Sequence, residues 1–259
     1  MRAVILAAGR GSRLGALTDD GPKGLVPLGG RPLIEWQIAA LRAARIEDIA
    51  LVTGYRAERL VPYGLPCFHN PDWAETNIVA SLDRAADWLS RTPCLVSYSD
   101  IFYEPAAPAM LLACDAPLAI TSGERWRDIW ASRFADSLAD AETFRAAPDG
   151  TLLDIGGRPT SLEEVEGQYM GLLRFEPAGW TAFRAVAGAS GPDWRRQLHM
   201  TGALRACIDA GGPAVRVLRY EGRWGEIDEP SDLAVYAHPD LAPSPVPKAD
   251  GVVSGVHPT

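Results

Sequence analysis

Lysine is almost absent from this chain: among 259 residues only Lys23 and Lys248 are lysines. Cysteine is also scarce, and the four cysteines form no C-x-x-C pair, so neither a disulfide framework nor a zinc site is supported. No apolar run approaches the length of a membrane span, and the first apolar stretch is too short for a signal sequence. We therefore expect a soluble, cytoplasmic protein whose free thiols lie mostly in its core, with no membrane partner.

Basic residues concentrate at the amino-terminal end. Residues 1–46 hold seven Lys or Arg and three Asp or Glu, a net charge of +4, although the whole chain carries −8. The remainder is therefore strongly acidic, which argues against a nucleic-acid partner. The local positive charge favours a small anionic ligand instead.

A glycine-rich segment follows the first strand-like run. Arg2 to Leu6 is apolar and typical of a buried parallel strand, and the chain continues as L-A-A-G-R-G-S-R-L-G. Small residues let successive backbone N–H groups turn towards an anion, and Arg10, Arg13 and Lys23 add positive charge. The predicted occupant is a polyphosphate. The glycines taken alone would fit a flexible surface loop equally well.

Two familiar phosphate motifs do not fit this segment. The dinucleotide fingerprint G-x-G-x-x-G requires glycine at Leu14 and an immediate helix, and the P-loop requires Gly-Lys-Ser/Thr where this chain has Gly21, Pro22, Lys23 and Gly24. The loop therefore belongs to another class.

The string L-A-A-G-x-G-x-R, followed by Pro22 and Lys23, resembles the signature of the nucleotidyltransferases that join a nucleoside triphosphate to a phosphorylated small molecule. Pro27, Leu28 and the G-R-P-L-I run at 30–34 continue the match. The resemblance implies that Arg13 and Lys23 are catalytic cations on the triphosphate. It also implies a nucleotide-binding role for the first loop, which comprises Leu6, Ala7, Ala8, Gly9 and Gly11.

Strand and helix patterns alternate along the chain. Helical spacing marks Leu33 to Ala44 and Ile78 to Leu89, while buried-strand patterns mark Ile49 to Thr53 and Cys94 to Tyr98. This alternation predicts an α/β fold with a Rossmann-like, mostly parallel sheet and covering helices. The resemblance implies the nucleotide-diphospho-sugar transferase type of this fold.

One domain is expected over residues 1–239. Its rhythm breaks at about 116–175, where we expect a small acceptor-binding insertion built on the strand edge of the core. Residues 240–259 mix Pro, Ser and Gly without periodicity and are predicted to be a disordered tail.

Two aspartates are candidate ligands for Mg²⁺, which meets much of the electrostatic demand of nucleotidyl transfer. Asp100 follows the Cys94 to Tyr98 strand, and Asp228 lies in W-G-E-I-D-E-P-S-D. The resemblance implies that both bind the metal. Each aspartate taken singly also fits a turn or a helix cap.

No general base is required, because the phosphate or phosphonate oxygen of an acceptor is already anionic near neutral pH. His69 and His199 are therefore not expected to act in catalysis. Catalysis is therefore expected to come from positioning of the substrates and from charge, with Lys23 and Mg²⁺ stabilising the transition state. Because Lys23 lies in a loop with few expected core contacts, its removal should slow turnover far more than it weakens folding.

The nucleobase is suggested by T-N-I-V-A-S-L at 76–82. This segment resembles the N-x-x-x-S-L stretch of the phosphocholine and small-phosphonate cytidylyltransferases, in which the asparagine and serine lie close to cytosine. Asn77 and Ser81 are four residues apart at a helix start, so both can face one ligand. The alternative is that Asn77 caps the helix and that Ser81 lies on a surface turn.

Six side chains are candidate acceptor-binding residues: Arg125, Trp126, Arg127, Trp130, Arg158 and Glu166. The first five combine aromatic faces with charge. Glu166 lies in the run E-V-E-G-Q-Y-M-G-L-L-R-F at 164–175, which resembles the acceptor-side segment of the same cytidylyltransferases. Aromatic faces with carboxylates would suit a choline-like tail, whereas guanidinium groups would suit an anionic one. The arginines at 125, 127, 133 and 158 favour a small phosphonate with a neutral or anionic tail, such as a hydroxyethyl- or carboxy-phosphonate. For each residue taken singly, the favoured alternative is a solvated charged face with the tryptophans packed over the core.

The sequence therefore predicts an Mg²⁺-dependent enzyme that transfers CMP from CTP to a small phosphonate or phosphate acceptor. A sugar-1-phosphate nucleotidyltransferase shares the loop and the acids, but the E-K-P type segment of its sugar-binding half is missing. A nucleotide-binding regulatory protein without catalysis is the alternative from another class.

Overall fold

The computed structural model describes residues 1–191 and 193–244. Its strands are β1 (Arg2–Ala7), β2 (Pro27–Leu28), β3 (Arg31–Pro32), β4 (Asp48–Thr53), β5 (Cys67–His69), β6 (Cys94–Tyr98), β7 (Ile101–Tyr103), β8 (Leu118–Gly123), β9 (Phe144–Ala146), β10 (Leu152–Ile155), β11 (Gln168–Phe175), β12 (Val215–Tyr220) and β13 (Trp224–Glu226). Its α-helices are α1 (Leu33–Ala43), α2 (Ile78–Asp83), α3 (Ala86–Arg91), α4 (Ala106–Leu112), α5 (Trp126–Arg133), α6 (Pro177–Ala189), α7 (Trp194–Gln197), α8 (Met200–Asp209) and α9 (Asp232–Val235).

The main sheet has seven strands in the order β12-β8-β11-β6-β1-β4-β5. Neighbouring strands pair in parallel except β11, which is antiparallel to both β6 and β8. The predicted α/β class with a mostly parallel sheet is confirmed.

Helices cover both faces of the sheet, as the side chains of β1 demonstrate. Ala3 and Ile5 belong to a hydrophobic cluster with residues of α1, α4 and α5. Val4 and Leu6 point the other way, into a second cluster with residues of α2, α3, α6 and α8. A strand that is buried on both faces explains the unbroken apolar run at the start of the sequence.

Most predicted elements are confirmed within a residue or two. The bounds of β6 coincide with the prediction, and α1 and β4 differ from it by one residue at one end. The single helix predicted from Ile78 to Leu89 is wrong, because α2 and α3 are separate. Ala85, between them, has φ −95° and ψ 14°, which interrupts the helical backbone.

The segment 116–175 is more central than the sequence suggested. β8 and β11 lie inside the main sheet, between β6 and β12, rather than at an edge. Only residues 124–167 leave the sheet, and they carry α5 and the antiparallel pair of β9 and β10. The expectation of an insertion on the strand edge is corrected accordingly.

A small antiparallel pair brings two distant segments together. β7 pairs with β13 so that Ile101 lies opposite Glu226, and one step beyond this pair Ile227 N donates to Asp100 O at 2.9 Å. Asp100 precedes β7 and Asp228 follows β13. The pairing therefore sets these two aspartates side by side at the carboxyl end of β6.

The end of the described chain contacts the domain. Leu241 packs against the hydrophobic core, and Ala242 O accepts a hydrogen bond from Arg223 at 3.3 Å. The predicted disordered tail thus does not fit residues 240–244, and its remainder, 245–259, lies outside the described residues. Within the described ranges, no helix has the length and apolar character needed to cross a bilayer.

Candidate functional site

A cavity of about 510 Å³ opens where β1 and β6 end. Its walls come from the glycine-rich loop, the start of α2, the residues after β6 and the segment after β13. Ligands of open α/β sheets bind at the carboxyl ends of the strands, so this cavity lies where such a fold places a ligand.

Lys23 is held between the two predicted metal ligands. Its Nζ donates to Asp100 Oδ2 at 2.8 Å and to Asp228 Oδ1 at 2.5 Å. Burial alone would lower the pKa of the Lys23 ammonium, but the two carboxylates outweigh burial and raise that pKa. The lysine is therefore a permanent cation at the floor of the cavity.

Arg13 adds a second cation on the same carboxylate. Its Nη2 donates to Asp228 Oδ1 at 2.7 Å, and more than half of its side-chain surface is exposed. Burial would raise the pKa of Asp228, yet Lys23 and Arg13 together lower it. Asp228 therefore stays ionised in a largely buried position.

Gly11 allows the lysine to approach the loop. It adopts φ +75°, and a Cβ built on it would lie 2.9 Å from Cβ, Cγ and Cδ of Lys23. A side chain here would meet both a strained backbone and the aliphatic stem of the lysine. The glycine-rich loop is thus fitted to Lys23 as well as to a ligand.

Arg133 holds the late acidic segment in place and was not predicted to do so. Its side chain is fully buried and contacts Glu226 at 2.6 Å, Asp232 at 2.9 Å and Asp228 at 3.6 Å. Asp232 in turn accepts from the backbone N–H groups of Asp228 and Glu229. The I-D-x-x-x-D segment therefore forms a turn that the Asp232 carboxylate caps, and this turn orients Asp228.

Asn77 and Ser81 line the opposite side of the cavity. Asn77 caps α2, since its Oδ1 accepts from Ile78 N at 2.7 Å, and its Nδ2 lies 3.3 Å from His199 Nε2. The cap and the cavity position coexist, so the two alternatives drawn from the sequence do not exclude each other. Ser81 is buried in α2 rather than on a surface turn.

The structure brings most of the predicted loop residues to the cavity. Leu6, Ala8, Gly9 and Gly11 line it. Ala7 does not, because its methyl group points into the core on the other face of β1.

Several residues of the wall were not predicted from the sequence. Trp73, Tyr98, Ser99 and His199 all line the cavity. Tyr98 and Ser99 could have been inferred, since both directly precede Asp100 at the end of a predicted strand. Trp73 follows no predicted strand and belongs to no quoted motif, so the sequence did not indicate its place in the wall.

Trp126 and Trp130, predicted to bind the acceptor, belong to the hydrophobic core. They are 2% and 3% exposed and pack edge to face, with Trp130 also against Trp224. Neither ring lines the cavity. The prediction is corrected because an aromatic helix face that packs on a sheet has the same spacing as one that binds a ligand.

The remaining predicted acceptor residues also lie outside the cavity. Arg127 is exposed and donates to Leu162 O at 3.1 Å, and Arg125 lines a separate small pocket beside Gly222. Arg158 is exposed, and the exposed Glu166 accepts from Ala146 N at 3.1 Å. These four residues thus do not form one binding surface with the loop and the acids.

Two carboxylates, but no larger ligand set, face the cavity floor. In residues 1–191 and 193–244, no group of three or more His, Cys, Asp or Glu side chains has the arrangement of a metal site. Asp100 Oδ1 is buried and has no hydrogen-bond partner among these residues.

Residues 3–145 match the model of the MobA-like NTP transferase domain, which spans the glycine-rich loop, Lys23 and Asp100. The chain belongs to this family. The match ends before Asp228, so the late acidic segment comes from the part of the chain beyond the family model.

Known relatives cover more of the chain. A CTP:phosphoglutamine cytidylyltransferase of Campylobacter jejuni is 33% identical over 251 residues, which are 91% of this chain and 98% of the relative. A CMP-5'-(3-aminopropyl)phosphonate synthase of Streptomyces rubellomurinus is 29% identical over 90% of this chain, and the match spans 37% of that longer protein.

A solved structure confirms the fold. The CTP:phosphocholine cytidylyltransferase of Streptococcus pneumoniae superposes with a TM-score of 0.65 at 23% identity, covering 90% of this chain and 96% of the other. This MobA-like transferase therefore shares its architecture with nucleotidyltransferases, as the sequence predicted.

Proposed function

We propose that this MobA-like transferase moves CMP from CTP to a phosphate or phosphonate oxygen of a small acceptor and releases pyrophosphate. The observation that carries the proposal is the cavity in which Lys23 and Arg13, beside the glycine-rich loop, face Asp100 and Asp228. The names of the Campylobacter and Streptomyces relatives support cytidylyl transfer.

In the proposed reaction, an acceptor oxygen attacks the α-phosphorus of CTP. The bond between the α-phosphorus and its bridging oxygen breaks, and pyrophosphate leaves with the bonding electrons. Because the attacking oxygen is already ionised, no side chain has to remove a proton, and rate enhancement comes from orientation and charge.

Lys23 and Arg13 are proposed to bind the triphosphate. The ammonium of Lys23 has three N–H donors, two of which point at carboxylates, so a third is available to a phosphate oxygen. The guanidinium of Arg13 offers further donors at the cavity wall. Both cations would oppose the charge that develops on the leaving pyrophosphate.

Mg²⁺ fits the two acids. Asp100 Oδ2 and Asp228 Oδ1 both contact the Lys23 nitrogen, so the two carboxylates are close neighbours, and the buried Asp100 Oδ1, which has no partner in the described chain, is left to bind an ion beside the lysine. Proteins usually hold Mg²⁺ with one or two carboxylates and leave its other positions to phosphates and water. When bound, the ion would supply positive charge to the phosphates.

The acceptor is proposed only as a class. The expectation of a hydroxyethyl or carboxy tail rested on Arg125, Arg127, Arg133 and Arg158, none of which lines the cavity. Arg133 is instead buried in ion pairs with Glu226 and Asp232. The proposal therefore covers acceptors with an anionic, a neutral or an amine-bearing tail.

Pyrophosphate release from a matrix of substrates tests the proposal. The protein with Mg²⁺ is mixed with CTP, UTP, ATP, GTP or dTTP and with phosphonates, phosphocholine, phosphorylated amino acids or hexose 1-phosphates. Release with CTP and a small phosphate or phosphonate is expected. Release that requires a hexose 1-phosphate and another nucleotide would overturn the proposal, as would CTP binding without release for every acceptor.

A matched pair of variants links any release to the cavity. Lys23→Met should slow release at least about 10²-fold, whereas Arg59→Met, which removes a cation from an exposed position, should leave it unchanged. Equal activity of the two variants would place the chemistry elsewhere.

A further inference from the structure

We propose that Asn70, a fully buried side chain behind the cavity wall, keeps the Ser81 hydroxyl available as a hydrogen-bond donor to the nucleobase. The inference rests on the proposed function, because it concerns how the cytosine of CTP is distinguished from uracil. Asn70 would be a positioning residue that acts through Ser81.

The amide of Asn70 has only one orientation that satisfies its surroundings. Its Oδ1 accepts from the backbone N–H of Asp72 at 3.2 Å. A backbone N–H can only donate, so the atom facing it must be the oxygen and the opposite atom must be Nδ2. The assignment of the amide therefore follows from the chain itself.

Both protons of Asn70 Nδ2 are used. One is donated to Thr76 Oγ1 at 3.0 Å and the other to Ser81 Oγ at 3.0 Å. Thr76 Oγ1 gives its own proton to Asp72 O at 2.8 Å, so it can only accept from Asn70. The bond between Asn70 and Thr76 therefore runs from the amide nitrogen to the hydroxyl oxygen.

Ser81 accepts from Asn70, which leaves the serine proton free. Ser81 lines the cavity, and within the described chain its Oγ donates to no other group. Asn77 presents the same polarity, because its Oδ1 accepts from Ile78 N and only one of its two Nδ2 protons can face His199 Nε2, which leaves the other to donate. One wall of the cavity therefore offers two donors.

Two donors match the pairing edge of cytosine. The N3 and O2 atoms of cytosine both accept, whereas N3 of uracil carries a proton and donates. A uracil placed against the Ser81 proton would set donor against donor, or would require the hydroxyl to turn away. Sites that leave a buried polar group unpaired discriminate strongly between such ligands.

Two substitutions of Asn70 separate polarity from packing. When ionised, the carboxylate introduced by Asn70→Asp would accept the Ser81 proton, so Ser81 could only accept from the base; the kinetics are followed up to about pH 9, because burial raises the pKa of a carboxyl group. The preference for CTP over UTP in kcat/KM should then fall by about tenfold or more, mainly through KM for CTP. Asn70→Leu removes the donor that orients the Ser81 hydroxyl but offers no competing acceptor, so the preference should fall by less than in Asn70→Asp.

Variants of Ser81 test the route of the effect. Ser81→Ala should lose the preference, and Asn70→Asp combined with Ser81→Ala should show the same ratio as Ser81→Ala alone. Ser132→Ala, at an exposed serine on α5, is the matched control and should keep the preference. If the two substitutions lowered the CTP preference independently, so that their effects multiplied in the double variant, Asn70 would not act through Ser81.

The measurements are CTP and UTP kinetics, the KM of the acceptor and thermal unfolding. The inference is overturned if folded Asn70→Asp keeps the preference, or if Asn70→Asp and Asn70→Leu change it equally. If the Asn70 variants fail to fold, the binding of 3-deaza-CTP to the wild type replaces them as the test, because this analogue lacks the N3 acceptor of cytosine. Wild type should bind it at least about tenfold more weakly than CTP, and equal binding overturns the inference.

Calorimetric binding of CTP to wild type, without acceptor, separates this inference from the proposed function. No binding and no turnover of CTP would reject the proposed function. Binding and turnover of CTP with an unshifted preference in Asn70→Asp would reject the role of Asn70 alone.

Discussion

Replacing Lys23 by methionine removes one ammonium and little else. The methionine keeps an unbranched apolar side chain against Gly11, whereas Asp100 and Asp228 lose the cation that lies 2.8 Å and 2.5 Å from their oxygens. The substitution therefore tests the charge of residue 23 rather than its packing.

The stability loss can be worked from these contacts. Breaking a buried ion pair from one side costs about 3–5 kcal/mol, because the other charge stays buried without a partner. Arg13 still pairs with Asp228, and about a quarter of the Asp100 side chain is exposed to water, so about 2–4 kcal/mol is expected. In a protein of this size that lowers Tm by roughly 5–15 °C.

This value corrects an expectation drawn from the sequence. The sequence places Lys23 in a loop with few expected core contacts, so its loss is expected to slow turnover far more than it weakens folding. Its side chain is only 11% exposed and joins two segments that are distant in the chain. We now expect both turnover and stability to fall.

The assay is pyrophosphate release at a temperature well below the Tm of the variant, together with thermal unfolding. Loss of one cation at a developing charge costs about 10²–10³-fold in kcat, so the folded variant should be at least that much slower. A variant with normal kcat, or one with an unchanged Tm, would refute the paired role of Lys23.

Three further outcomes follow from the structure. Gly11→Ala should slow turnover at least about tenfold with a modest fall in Tm, measured by the same two assays, because the added methyl group displaces the lysine stem. Arg133→Met should cost about 3–5 kcal/mol in chemical denaturation, since it leaves buried carboxylates unpaired, whereas Arg127→Met at an exposed position should cost less than about 1 kcal/mol. Alkylation of the native protein at pH 8, followed by peptide mass spectrometry, should modify exposed Cys67 well before Cys94, because burial raises the pKa of the Cys94 thiol to about 12. Equal labelling of both cysteines would contradict the described burial.

The features of the fold that depend on local pattern could be predicted from the sequence. The apolar runs of β1 and β6 are buried on both faces, so they indicate strands without any knowledge of their neighbours. The meeting of Asp100 and Asp228 could not be derived in this way. It depends on the pairing of β7 with β13, whose three-residue strands carry little periodic signal.

The acceptor prediction failed for a related reason. Trp126 and Trp130 are four residues apart on α5 and therefore share one face of the helix, which either a core or a ligand could cover. Each tryptophan taken singly fitted the core better, but the neighbouring arginines suggested a ligand; the structure buries both rings in the core. Asn70 shows the reverse case, because its role depends on hydrogen-bond direction, which a sequence does not record.

A crystal structure of the protein with CTP and Mg²⁺ tests the central claim most directly. We expect a triphosphate on the loop around Gly11, contacted by Lys23 and Arg13, with a divalent ion between the phosphates and the carboxylates of Asp100 and Asp228. CTP bound in another part of the molecule, or phosphates with no contact to Lys23 and an ion away from both acids, would contradict it.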